Sequence, residues 1–177
     1  MMASRLDAGS GVLLRAPRSS DVPRIAALAD NRKVWMNLLD RFPHPYTEAD
    51  ARAFLDLVAA LGGPPQHFAI TVDDQFVGMV GLEQRSDVHR ASAYVGYWVG
   101  EPYWGRGIAT AALQALTTYA FATFPFERLE AEVFGWNVAS ARVLEKCGYL
   151  REALLRRSVL KAGQLADGLL YARLRGA

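Results

Sequence analysis

The sequence predicts an α+β protein built on a mixed, mostly antiparallel β-sheet. Residues 66–84 and 149–175 each contain two strand-like runs joined by a short turn, and such hairpins are antiparallel. Residues 91–100 and 128–136 are also strand-like, and each precedes a helical pattern, which is typical of a crossover to a parallel strand. Together with residues 12–16, this predicts seven strands flanked by about four helices.

Local signals place the helices between these strands. Pro23 in a first turn predicts a helix before residue 30, with a second short helical segment after it. Thr47, with Asp50 three residues later, resembles a capping box at the start of the next helix. A long helical pattern follows the strand-like residues 91–100, and the last helix is predicted to begin at Asn137 and end at Gly148.

Composition limits the class of protein. The 177 residues fit one domain, expected over residues 11–177 after a flexible tail at residues 1–10. Lys and Arg number 20 against 18 Asp and Glu, and a net charge of +2 does not favour a nucleic-acid partner. The single cysteine, Cys147, predicts a reducing cytoplasm, and the spacing of His and Cys predicts no metal site. We recognise neither a signal peptide nor a membrane span, so no membrane partner is expected.

A glycine loop between a strand and a helix is the strongest chemical signal. Gly105 and Gly107 permit backbone conformations that other residues avoid, and Ala109 keeps the surface small. The first N–H groups of a helix lack internal acceptors and lie at its positive end, so the loop predicts a pyrophosphate site. Arg106 adds a cation there. The full dinucleotide and P-loop patterns are absent, although a dinucleotide-binding domain stays open as an alternative.

Aromatic residues are concentrated around this loop. They are Trp98, Tyr103, Trp104 and Trp136. They indicate either ordinary packing or the wall of a pocket for an adenine ring or an acceptor molecule.

The run W-G-R-G-I-A, from Trp104 to Ala109, resembles motif A of the GNAT superfamily of N-acetyltransferases, Q/R-x-x-G-x-G/A. Gly107 and Ala109 match, whereas Trp104 stands where the motif has Gln or Arg. The surrounding run EPYWGRGIAT is similar to the RimJ/RimL-like branch, which acetylates protein N-termini and ribosomal proteins. Downstream, NVASARVLEKCGY is similar to motif B, with matches at Asn137, Ser140, Lys146, Gly148 and Tyr149.

The resemblance implies the GNAT fold from about residue 11 to residue 175. In that fold two central strands splay apart, usually at a bulge, and open a V-shaped cleft. It also implies acetyl-CoA as co-substrate, with its pantetheine arm along one splayed strand and its pyrophosphate on the glycine loop. The residues implied to bind it are Tyr97, Trp98, Val99, Trp104, Gly105, Arg106, Gly107, Ile108, Ala109, Thr110, Asn137 and Ser140.

The resemblance implies direct transfer of the acetyl group to an amine, but the catalytic residues depart from the family pattern. The branch often has Glu at the position of Tyr94, and a tyrosine with an ordinary pKa near 10 is a poor base at neutral pH. Tyr94 would instead orient a water molecule or line the pocket, and Glu83 on the neighbouring strand is a substitute acid. Leu144 stands where many members have a proton-donating Tyr.

Two residues of motif B are the remaining catalytic candidates. We hypothesise that Ser140, one helical turn before Leu144, hydrogen-bonds the leaving sulfur; the alternative is a helix serine that bonds its own backbone. Asn137 resembles the residue that bonds the pantetheine or the acceptor, and it is also a natural N-cap.

The acceptor is the open question. In the family the first helical region covers the acceptor side, which places Trp35, Phe42, His44 and Tyr46 in the implied substrate pocket. The branch suggests a protein N-terminus, but it also contains enzymes for small amines and antibiotics. A non-catalytic acyl-CoA-binding module is the rival from another class. The aromatic content allows a homodimer.

Overall fold

The computed structural model describes residues 5–177. Its strands are β1 (Arg5–Gly9), β2 (Val12–Arg15), β3 (His67–Val72), β4 (Gln75–Gln84), β5 (Ser92–Val99), β6 (Arg128–Phe134), β7 (Leu150–Lys161) and β8 (Gln164–Leu174). Its α-helices are α1 (Val22–Ala29), α2 (Arg32–Trp35), α3 (Glu48–Ala60), α4 (Ile108–Thr123) and α5 (Val138–Lys146). The strands form one eight-stranded sheet in the order β1-β2-β3-β4-β5-β6-β8-β7. The predicted α+β class is confirmed, with one strand more than expected.

The additional strand is formed by residues that the sequence places in a flexible tail. β1 pairs antiparallel with β2, and Gly11 in the turn between them has a φ of +76°. Leu6 and Ala8 pack against the core, because alternate residues of a strand point to the same face. The prediction of a tail is therefore wrong for residues 5–9. Residues 1–4 lie outside the described part of the chain.

The central strands β5 and β6 separate along most of their length. They run parallel, and they pair only at residues 92–94 of β5 and residues 128–130 of β6. Beyond Tyr94 the strands diverge, so the expected V-shaped opening is present. β4 pairs with β5 in unbroken register over seven residue pairs. The opening therefore forms without the bulge that the resemblance leads us to expect.

Two apolar layers hold the helices on opposite faces of the sheet. α4 and α5 pack on one face, where Leu116 and Leu144 are fully buried. α1 and α3 pack on the other face, around Ile25. The predicted capping box of α3 is confirmed, because the side chain of Thr47 accepts from the Asp50 amide while Asp50 accepts from the Thr47 amide. Since alternate side chains of β5 point to the two layers, the opening has two different faces.

Among residues 5–177, no helix is both long enough and apolar enough to cross a membrane. Over the same residues, His, Cys, Asp and Glu side chains form no group of three or more that could hold a metal ion.

A buried ion pair ties the start of α1 to β2. Arg15 and Asp21 are both buried, and two hydrogen bonds of 2.7 and 2.8 Å join the guanidinium group to the carboxylate. The Arg18 amide also donates to this carboxylate, at 2.8 Å. Burial by itself would raise the pKa of Asp21, but the hydrogen bonds from Arg15 and Arg18 outweigh it and hold the pKa below 3.8. The pair therefore stabilises the fold while Asp21 is ionised.

Replacing Asp21 by Asn should lower the free energy of unfolding by about 3 kcal/mol at pH 7, because the buried Arg15 loses its counter-charge. Since the pKa of Asp21 is lowered in the folded state, its contribution is complete above the unfolded pKa and is lost as the pH falls through the folded pKa. Wild type and variant should therefore converge in acid. Urea unfolding at pH 7 and in a series below pH 3.8 measures both effects.

The control is the exposed ion pair of Glu48 and Arg52, in which Oε2 and Nη2 are 2.8 Å apart. Glu48→Gln should change the free energy of unfolding by less than about 0.5 kcal/mol, because an exposed pair at this helical spacing contributes little. Equal losses in the Asp21 and Glu48 variants would contradict the importance of burial.

Candidate active site

On β5, main-chain groups that β4 does not use face the opening. The Gly100 amide donates to the Val77 carbonyl at 2.8 Å, and in an antiparallel pair such bonds recur at every second residue. The amides and carbonyls of Tyr97 and Val99 therefore point away from β4, toward β6. Because β6 pairs with β5 only as far as Tyr94, this edge is able to bind an extended ligand by main-chain hydrogen bonds.

The glycine loop lies at the end of this edge. Gly105 and Gly107 have φ values of +74° and +73°, and no non-neighbouring atom of the described chain lies within 4 Å of a Cβ built on either residue. Gly107 is the N-cap of α4, and the amides of residues 105–110 have no acceptor in residues 5–177. The loop thus presents free N–H groups beside open space, at the positive end of a 16-residue helix.

Two arginines contact Tyr103, which lies two residues before Gly105 of the loop. The guanidinium carbon of Arg106 lies 5.4 Å from the centre of the Tyr103 ring, and that of Arg24 lies 5.8 Å from it. Arg24 also donates to the Tyr103 hydroxyl and to the Phe76 carbonyl. The sequence indicates Arg106 but carries no local signal for Arg24, which is 79 residues from Tyr103 and reaches it because α1 packs on β4.

Trp104, which departs from motif A, closes the end of the strand edge. Its indole Nε1 donates to the Val99 carbonyl at 2.6 Å, while 45% of the residue remains exposed. Trp98, expected on the same edge as Val99, instead directs its main chain to β4. Its ring packs against Phe42 on the face of α1 and α3. The two tryptophans therefore lie in different surroundings.

A pair of hydroxyl groups links β5 to α5 beside the opening. The Tyr97 hydroxyl lies 2.7 Å from Ser140 Oγ and donates to the Ser140 carbonyl at 3.2 Å. Burial raises the pKa of Tyr97 above 10.0, so this hydroxyl keeps its proton at neutral pH. Asn137 is confirmed as the N-cap of α5, since its Oδ1 accepts from the Ser140 amide at 3.2 Å. The arrangement can therefore donate a proton from Tyr97 and Ser140.

Two nearby residues cannot take a chemical role at neutral pH. Leu144 is fully buried and has no exchangeable side-chain proton. Burial raises the pKa of the Cys147 thiol to about 11. Its Sγ also donates to the Thr110 carbonyl at 3.4 Å. A protonated, buried thiol is not an effective nucleophile, which agrees with transfer that does not pass through the enzyme.

The two candidate bases lie opposite each other on β5 and β4, and neither is an unpaired carboxylate. Tyr94 is exposed, with the Arg85 guanidinium 5.1 Å from its ring centre. Glu83 forms an ion pair with Arg41, in which Nη2 and Oε2 are 2.5 Å apart. The hydrogen bond from Arg41 lowers the pKa of Glu83. This carboxylate therefore takes up a proton less readily than an unpaired one.

The four residues implied for the substrate pocket form two separate clusters. Phe42 and Tyr46 pack with ring centres 4.7 Å apart, in the layer under α1 and α3. Burial raises the pKa of Tyr46 to about 12, as expected for a core residue. Trp35 stacks on His44 at 5.4 Å, and the Lys161 ammonium group lies 3.8 Å from a ring centre of Trp35.

A cavity of about 410 Å³ opens between α2 and the ends of the splayed strands. Trp136 Nε1 donates to Asn37 Oδ1 at 3.0 Å, which fixes the tryptophan in the cavity wall. The lining residues are Lys33, Met36, Asn37, Trp104, Trp136 and Gln164. The aromatic concentration in the sequence indicates the two tryptophans, whereas Met36 carries no signal of its own. A cavity of about 560 Å³ also lies between β1 and α4, away from the opening.

The splayed strands and the glycine loop define an acetyltransferase of the GNAT type, and the family comparison agrees. Residues 12–150 match the model of the acetyltransferase (GNAT) domain. The chain belongs to the GNAT acetyltransferase family, as its two motifs predict.

Individual relatives are similar over most of the chain. The uncharacterized N-acetyltransferase p20 of Bacillus licheniformis is 30% identical over 136 residues, which are 74% of this chain and 76% of p20. Mycobacterium smegmatis RimJ, solved in complex with CoA-disulfide, has a TM-score of 0.82 at 28% identity and covers 97% of this chain and 85% of its own. RimL, a ribosomal L7/L12 alpha-N-protein acetyltransferase solved with coenzyme A, shares the fold with a TM-score of 0.84 at 23% identity, covering 96% and 97%.

Proposed function

We propose that this N-acetyltransferase moves an acetyl group from acetyl-CoA directly to a primary amine, and that its acceptor is a protein N-terminus. The observation that carries the proposal is the continuity of two sets of free main-chain groups. One set lies along β5, at the amide and carbonyl of Tyr97 and the amide of Val99, and the other surrounds the loop at residues 105–110. An extended arm that ends in a pyrophosphate, as in coenzyme A, is complementary to this arrangement.

The residues of the loop fit the phosphate groups of acetyl-CoA. The open space over Gly105 and Gly107 admits a phosphate close to the backbone, and the amides at the start of α4 can donate to it. Arg24 and Arg106 both lie against Tyr103 and add positive charge there. When bound, acetyl-CoA supplies the acetyl group in activated form, as a thioester.

Tyr97 and Ser140 have the chemistry to protonate the departing sulfur. During transfer the amine nitrogen bonds to the carbonyl carbon, the carbon–sulfur bond breaks, and its electron pair stays on sulfur. Ser140 gives a proton to the sulfur, and Tyr97, 2.7 Å away, replaces the proton on Ser140. Main-chain amides of β5 stabilise the carbonyl oxygen as it gains negative charge. A proton lost by the amine restores Tyr97, so the protons balance.

The cavity beside the opening is the proposed entrance for the acceptor. It is walled by Trp104 and Trp136, which offer flat apolar surfaces, and it is open enough for an extended peptide. Similarity to RimJ and to RimL, the latter a ribosomal L7/L12 alpha-N-protein acetyltransferase, supports an acceptor of the protein N-terminal type.

Release of free thiol from acetyl-CoA in the presence of peptides with free N-termini tests the proposal. The same peptides with blocked N-termini are the matched controls, and small amines and amine-bearing antibiotics form a second panel. Turnover is expected only with free N-termini. Turnover confined to the second panel would contradict the protein acceptor. Tight binding of acetyl-CoA without thiol release on either panel would indicate a non-catalytic acyl-CoA-binding module.

Gly107→Ala should weaken CoA binding by about tenfold or more, the equivalent of about one charge-assisted hydrogen bond, because its methyl group takes the space of a phosphate. Gly11→Ala is the matched control, since Gly11 has the same left-handed backbone and open surroundings but lies in the β1–β2 turn. Both variants should lose about 1 kcal/mol of stability. Thermal shift with CoA and with NAD measures the difference, and unchanged CoA affinity in Gly107→Ala would refute this placement of the pyrophosphate.

Ser140→Ala should lower kcat by about 100-fold, because the leaving sulfur loses its proton donor. The Kd for acetyl-CoA should stay within about threefold, a change of less than 1 kcal/mol. Tyr149→Phe is the control, because it removes a hydroxyl from a similar pair, 2.8 Å from Thr117, on the buried side of α4. If Ser140→Ala changes neither turnover nor acetyl-CoA affinity, the assignment fails.

A cytoplasmic location and a homodimer belong to the same proposal. The single cysteine, Cys147, is buried and unpaired, which suits a reducing compartment. β7 is an edge strand and exposes Leu150, Leu154 and Leu160, so pairing of two β7 edges is the geometry that we propose for a dimer.

A further inference from the structure

We propose that Glu132 is the catalytic carboxylate that binds the acceptor's ammonium group and removes its proton, a role that rests on the proposed transfer to an amine. Glu83 on β4 and Glu130 and Glu132 on β6 all point to the face of the sheet on which α1 and α3 pack, which we call the acceptor face. This follows because their neighbours Leu82, Leu129, Ala131 and Val133 point to the opposite layer, against α4.

Two of these three carboxylates are already neutralised by arginine. Glu83 is paired with Arg41, as described above. Glu130 is buried and accepts from Arg85 and Arg128, with nitrogen–oxygen distances of 2.5 and 2.6 Å. Glu132 is exposed, and within residues 5–177 it has no Arg, Lys or His partner at 4.0 Å or less. It is therefore the carboxylate of this group that is available to an incoming cation.

Strands β7 and β8 position the Glu132 carboxylate. Ser158 Oγ lies 3.4 Å from its Oε1, although the hydroxyl also donates to the Leu155 carbonyl at 3.0 Å, and Oε1 occupies the space that a side chain at Gly168 would fill. Within residues 5–177 Oε2 has no hydrogen-bond partner, so it is free to accept from an ammonium group. On β8, Asp167 Oδ1 accepts from the Arg157 amide at 2.7 Å.

Across the opening from Glu132, β5 leaves room for an amine. Tyr94 lies opposite Glu130 at the last paired position, and two residues further along each strand Gly96 follows on β5 and Glu132 on β6. No non-neighbouring atom of residues 5–177 lies within 4 Å of a Cβ built on Gly96. An acceptor amine beside Gly96 would lie next to the free main-chain groups of Tyr97. The Glu132 carboxylate leans from β6 over Gly168 of β8, so it reaches an amine in the opening by turning its side chain toward β5 or through one water molecule.

The proton balance follows from this placement. Glu132 takes one proton from the ammonium group, which frees the nitrogen lone pair for attack on the carbonyl carbon. The second proton leaves the nitrogen as the carbon–nitrogen bond forms and the carbon–sulfur bond breaks, and it replaces the proton that Ser140 gives to sulfur. Glu132 returns its proton to solvent, so each turnover from an ammonium acceptor releases one proton.

Glu132→Gln should lower kcat/KM for a peptide acceptor by about 100-fold at pH 7, the effect of losing a general base. An α-amino group has a pKa of about 7.7–8.0, so it arrives already neutral at high pH and the deficit should shrink to about tenfold or less there. Glu132→Asp keeps the charge and should retain more activity than Glu132→Gln. Acetyl-CoA should still raise the Tm of both variants, which shows that they fold.

Glu127→Gln is the matched control, because Glu127 lies just before β6 and pairs with Arg175 at 3.1 Å, away from the opening. It should keep kcat/KM within about twofold of wild type, a change of less than 1 kcal/mol. If the wild type turns over and Glu132→Gln is equally active, the role of Glu132 is overturned, while the transferase proposal stands. A pH-dependent deficit in Glu83→Gln instead would make Glu83 the base. No wild-type turnover on any amine overturns the transferase proposal and this role together.

Discussion

The early separation of β5 from β6 is the constraint on which the rest of the site depends. A strand in the middle of a sheet normally satisfies its main-chain groups on both sides, and an unpaired buried group costs about 1–3 kcal/mol. Beyond Tyr94, β5 keeps its bonds to β4 but finds no partner strand on the other side among the described residues 5–177. The Val99 carbonyl finds a substitute in Trp104. The remaining groups face an opening where a ligand can complete the pairing.

Contacts between distant parts of the chain hold the surroundings of this opening. Arg24 reaches Tyr103 from α1, and Trp136 reaches Asn37 after α2. Lys161 at the end of β7 is 2% exposed, and its ammonium group contacts Asp40 at 2.7 Å as well as the Trp35 ring. The hairpin of β7 and β8 is thereby fastened to the segment after α2, over the acceptor face. The acceptor side therefore depends on residues from both ends of the chain.

The electrostatics of the site come from pairing rather than from net charge. The chain is nearly balanced in charge, and the loop that suits an anion relies on main-chain amides, which a count of charged residues does not record. On the acceptor face, arginines neutralise Glu83 and Glu130. A carboxylate is available to a substrate only where no arginine has folded onto it, so the identity of the base is a property of the tertiary structure.

Sequence patterns alone predict the fold class, the hairpins, the caps at Thr47 and Asn137, and the glycine loop that starts α4. These features are local, because strand alternation, capping and a positive φ at glycine depend on residues a few positions apart. Three features emerge only once the chain is folded: residues 5–9 form an edge strand, Tyr46 belongs to the core, and Glu83 is paired with Arg41. Burial and ion pairing depend on which distant residues become neighbours, and the order of residues along the chain does not state this.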